Sequence, residues 1–118
     1  MADTLAPALF LRKPRRGASD VRTGTNIVLE VWDTDTGVDA SSVVITVNGV
    51  VAWTGDAQQT GFTVTKTVIP GGGIQYDINP DSDLPYSAAV MIRVEADDLE
   101  TTPNSMDERV SFFTGAWV

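Results

Sequence analysis

The chain has 118 residues, 42% of them hydrophobic, carries a net charge of −8, and contains neither cysteine nor histidine. That length suits one domain, which on folding removes roughly 70% or a little less of its unfolded surface from water. The missing residue types exclude disulfides, thiolate metal sites and every Ser-His or Cys-His catalytic arrangement, leaving carboxylate, lysine or tyrosine chemistry.

Residues 1 to 20 read as an extended basic arm. The segment "LAPALFL" is too short and proline-broken for a signal h-region, and its arginines follow instead of preceding it. Residues 1 to 22 carry Arg12, Lys13, Arg15, Arg16 and Arg22 against Asp3 and Asp20, a balance of +3. The remaining 96 residues carry three bases against fourteen acids, a balance of −11. A body of that charge repels phosphate, so nucleic acid is not expected as a partner. The charges of "RKPRR" would suit nucleic acid, but the segment has no interleaved aromatics and reads equally well as an anchor for an acidic protein surface. Pro7 and Pro14 prevent regular structure in the arm or restrict it to a sheet edge. No run of 18 apolar residues is present, so no membrane span is expected.

The rest, residues 21 to 118, alternates with the period of strands. Ile27, Leu29 and Val31 fall on one face of the first strand, and Val43, Ile45 and Val47 on one face of the next. The Asn48-Gly49 pair that follows predicts a two-residue hairpin, because both central residues must accept positive φ. Phe62, Val64 and Lys66 alternate with threonines; Ile74, Tyr76 and Ile78 alternate with Gln75 and Asp77. Val90, Ile92, Val94 and Ala96 form a long row, and Val110 with Phe112 marks the last strand. Turn signals separate these runs, notably "PGGG" at 70 to 73 and "TTPN" at 101 to 104. The pattern predicts an all-β fold, a single antiparallel β-sandwich of about seven strands.

"WDTDTGVD", residues 32 to 39, admits two readings. As a calcium loop, Asp33, Asp35 and Asp39 would supply oxygens at one end of the sandwich, joined by the Asp97-Asp98 end of a later strand. The bidentate glutamate of an EF-hand loop is missing, since Val44 stands at the twelfth position. As a turn, the short carboxylates accept backbone N–H groups and Gly37 takes positive φ; this reading is preferred, with no metal and no cofactor. A carboxylate pair such as Asp33 with Asp97 would need a buried, raised-pKa member beside a pocket, so no catalytic residues are expected. Trp32 lies opposite the Ile27 row, Trp53 closes the hairpin, and Trp117 sits one residue from the end. They fall on three segments without the polar clusters that sugar sites need, which favours protein contacts.

The succession "NIVLEVWDTDTGVDASSVVITVNG", "FTVTKTV", "VMIRVEADD" and "VSFFT" resembles the immunoglobulin-like modules of bacterial and phage surface and virion proteins. The resemblance covers residues 14 to 114 and departs from the pattern at "DDLETTPNSMDE", which replaces a short turn. It implies a non-enzymatic virion structural protein, a capsid decoration or cement protein on the particle surface, assembled in the host cytoplasm. In that setting the partners are other virion proteins, capsid or tail subunits, and a homo-oligomer stays open. The contact residues would be Leu9, Phe10, Leu11, Arg12, Lys13, Arg15, Arg16 and Trp117. The alternatives are a phage tail or adhesion module that binds a host glycan or receptor, and a calcium-dependent binding domain. Removing residues 1 to 13 is expected to leave a folded sandwich.

Overall fold

The computed structural model describes residues 5–116, and these form nine strands in two antiparallel sheets. In chain order they are β1 (Ala8–Lys13), β2 (Ile27–Trp32), β3 (Val44–Val47), β4 (Val50–Thr54), β5 (Ala57–Gln58), β6 (Phe62–Ile69), β7 (Gly73–Pro80), β8 (Ala89–Asp97) and β9 (Ser105–Phe113). A 3-10 turn, Ala40–Ser42, stands before β3. One sheet has the order β1-β2-β7-β6 and the other β5-β4-β3-β8-β9.

The alternating rows face each other between the sheets. Ile27, Leu29, Val31, Tyr76 and Ile78 of the first sheet meet Ile45, Val47, Val90, Ile92, Val94 and Phe112 of the second in one buried cluster. The burial follows from the period of 2, which sends one row of each strand to water and the other to the partner sheet. Asn48 and Gly49 both have positive φ and join Val47 directly to Val50, the two-residue hairpin that their chemistry predicts.

Three expectations are corrected. Residues 8 to 13 are not a free arm: β1 pairs antiparallel with β2, from Ala8 opposite Trp32 to Lys13 opposite Val28. Leu9 and Leu11 turn inward and pack against the core, so the sandwich begins well before residue 21. The prolines bracket an edge strand, where a missing N–H faces no neighbour. After a cis Lys13-Pro14 bond the chain crosses to the other sheet. There Gly17 donates to the Ser111 carbonyl, and Val21 makes a parallel bridge with Thr114. Second, there are nine strands where about seven were expected, because β1 and the short β5 escaped the alternation count. Third, deletion of residues 1 to 13 removes a strand and uncovers the flank of β2, so a folded remainder is no longer expected.

Candidate interaction surface

The solvent face of β1 and β2 gathers the residues with the most to offer a partner. On β1, Leu9 and Leu11 face the core, which leaves Ala8, Phe10 and Arg12 on the outer row. Pairing puts Phe10 beside Glu30 and Ala8 beside Trp32. The Arg12 guanidinium lies over the Phe10 ring, 5.1 Å from its centroid, and donates to Glu30 Oε1 at 3.1 Å. Trp32 Nε1 donates to the same oxygen at 2.8 Å. These two donors, Arg12 first, hold the Glu30 carboxyl below the usual carboxylate range.

Trp32 is also fixed from below. Its cross-strand partner is Gly73, and a methyl group built on that glycine would meet the indole carbons at 2.5 Å. Only a residue without Cβ lets the ring lie this close to the strand. With Ala8 as a low floor, Phe10 and Trp32 wall a groove of about 450 Å³ that Leu5 also lines. Asp33, Thr34 and Asp35 line its polar end.

The aspartates divide by role. Asp33 is buried, and its Oδ1 accepts from the backbone N–H groups of Asp35, Thr36 and Gly37 at 3.0, 3.1 and 3.3 Å. Asp39 caps the 3-10 turn, accepting from Ser41 N at 3.1 Å and Ser41 Oγ at 2.7 Å. Asp97 accepts from Ser105 Oγ at 2.7 Å. The neighbouring Asp98, buried, accepts from the backbone of Glu100 and Asn104 and from Asn104 Nδ2. The two loops do adjoin, since Asp39 N donates to the Asp97 carbonyl and Val38 bridges Asp98. Their carboxylates serve the turns, as expected for side chains that mimic a backbone acceptor. Among the described residues no group of three or more acidic side chains is arranged to hold a metal ion. Asp35 differs: it is exposed, and no described residue donates to its carboxylate.

The basic residues divide as well. Arg12 is engaged on the sheet face, whereas the side chains of Lys13, Arg15 and Arg16 are exposed around the end of β1 and form no ion pair with a described residue. Leu9 and Leu11 are spent on the chain's own core, and Trp117 lies outside the described residues. Trp53 is buried and packs edge-on against Tyr76, with ring centroids 5.4 Å apart. Burial, with a smaller contribution from Asp56, pushes the Tyr76 hydroxyl well above the ordinary tyrosine range. Sequence reasoning missed the Glu30–Trp32 pair and the groove, because both depend on how β1 registers against β2. No protein-family model matches the chain, and no curated protein matches it either.

Proposed function

We propose that this chain is a non-enzymatic immunoglobulin-like module of a bacteriophage particle, most simply a decoration or cement protein seated on capsid subunits. The sheet orders support the immunoglobulin-like reading: β1-β2-β7-β6 corresponds to A-B-E-D, and β4-β3-β8-β9 to C′-C-F-G. The observation that carries the attachment is the cluster Lys13, Arg15 and Arg16, three exposed cations without described partners on a molecule whose remainder is strongly acidic. Held on the turn that follows an edge strand, they form a pre-shaped basic corner in place of a flexible clamp. Such a corner meets an acidic subunit surface with little ordering cost. A non-enzymatic role draws support from the aspartates already committed to turns and from the deep burial of Tyr76.

The test is to reverse the corner with Lys13→Glu, Arg15→Glu and Arg16→Glu together. Native particles from the source should carry the wild-type chain at fixed stoichiometry to the capsid subunit, measured by quantitative mass spectrometry. The folded triple variant should fail to load onto stripped particles. Absence of the chain from purified particles, or full loading by the variant, would overturn the reading. A tail or adhesion module is the second reading, and the aromatic groove at Trp32 is what favours it; binding to intact host cells instead of to capsids would bring it forward.

A further inference from the structure

We propose that the groove beside Trp32 receives an arginine or lysine side chain from an extended segment of another polypeptide, laid along the open edge of β1. The inference rests on the groove's own chemistry and does not depend on the particle setting. The walls are Phe10 and Trp32, two aromatic faces of the kind that attract organic cations. Phe10 already has Arg12 over its ring, which leaves the indole as the free platform. At the polar end the carboxylates are unequal. Asp33 Oδ1 takes three donors, while Asp35 is exposed and takes none from the described residues; Arg12, which also lines the groove, is neutralised by Glu30 outside it. One uncommitted carboxylate beside the groove-facing surface of one indole is complementary to one long cationic side chain.

The edge explains why the segment is extended. β1 is terminal in its sheet, and no described strand pairs with its second side, so its backbone is open to strand addition. Side chains of an added strand alternate, and every second one lies over the outer face, where the small Ala8 leaves room between Phe10 and Trp32. Local charge selects the occupant: Arg12, on the Phe10 side of the groove, is held by Glu30, which leaves the exposed Asp35 as the charge that meets an incoming side chain.

The experiment titrates ¹⁵N-labelled full chain with a synthetic alternating peptide, Thr-Val-Thr-Arg-Thr-Val-Thr, and with its Arg→Gln counterpart. The arginine peptide should shift the Trp32 indole N–H and the amides of residues 8 to 12, binding about tenfold more tightly than the glutamine peptide, the size of a partly desolvated cation–π contact. Asp35→Asn, whose carboxylate caps nothing in the fold, should weaken the arginine peptide several-fold and leave the melting temperature unchanged. Equal binding of the two peptides, no shift at millimolar peptide, or indifference to Asp35→Asn would each overturn the proposal. So would the same shifts on adding a neutral oligosaccharide, or on simply concentrating the protein, since those results would assign the groove to a sugar or to a second copy.

Discussion

Lys66 on β6 reaches across the sandwich to Asp56 in the turn between β4 and β5, with Nζ 2.8 Å from Oδ1. The lysine stands opposite Tyr76 in the ladder, on the row that faces inward, and β6 is the outer strand of its sheet. A charge pointing inward on an edge strand discourages another chain from pairing there. Asp56 is too exposed for the pair to weigh heavily in stability. Lys66→Ala should therefore cost only about 0.5 kcal/mol, yet raise self-association at high concentration. Thermal melts and sedimentation velocity separate the two effects; a large stability loss with no new association would contradict this account.

The centre of the core makes a stronger demand. Ile45 is fully buried between β4 and β8. Ile45→Ala removes its transfer energy and leaves a cavity, at a cost of about 2 to 4 kcal/mol, read as a lower denaturant midpoint at unchanged slope.

Two adjacent glycines should behave differently. At Gly72, which has positive φ, a Cβ would run into the Asp33 backbone, whereas at Gly73 the atoms it meets first are those of the Trp32 ring. A ring can swing aside and backbone cannot. Gly73→Ala should cost about 1 to 3 kcal/mol and change the tryptophan emission; Gly72→Ala should cost more and leave the emission closer to that of wild type.

Asp33→Ala strips three backbone N–H groups of their acceptor and should cost about 1 to 2 kcal/mol. Calcium should not shift the wild-type melting temperature, nor should a chelator. An ion bound at 100 times its dissociation constant would add about 2.7 kcal/mol to the folded state, an effect too large to miss in a melt.

Glu30 sets an acid-side response. Its carboxyl is held below its ordinary value of 4.5, so its contribution is complete above that pH and is lost as the pH falls through the folded value. Glu30→Gln should flatten the decline of stability below about pH 4.5, and the wild-type Trp32 indole proton should move over the same range as its acceptor is protonated. An indole signal constant through the acid range would argue against the shared hydrogen bond.

The rows at Ile27, Ile45 and Val90 were readable because each strand writes its buried face at every second residue, and the Asn48-Gly49 turn because few other pairs tolerate its backbone. Trp53 was not. An extra residue on β4, between the pairs Ile45–Trp53 and Thr46–Val51, puts Ala52 and Trp53 inside in succession and breaks the alternation. β1 was hidden for another reason. Its inward row is only Leu9 and Leu11, flanked by prolines and followed by arginines, a pattern that an exposed arm would share. The aspartate turns were legible from side-chain chemistry alone. The groove was not, because it exists only once Ala8 is set opposite Trp32.

The crossing of the chain from one sheet to the other after β1 has a mechanical meaning. Gly17 and Val21 donate to the carbonyls of Ser111 and Phe113, and Phe113 and Gly115 donate back to Ala18 and Val21, four bonds 2.7 to 3.0 Å long between segments that run in parallel. Tension drawn through residue 17 one way and residue 115 the other would load these bonds together, in shear, instead of opening them singly like a zip. A sandwich stitched in this manner is braced along its length, whatever it is fastened to.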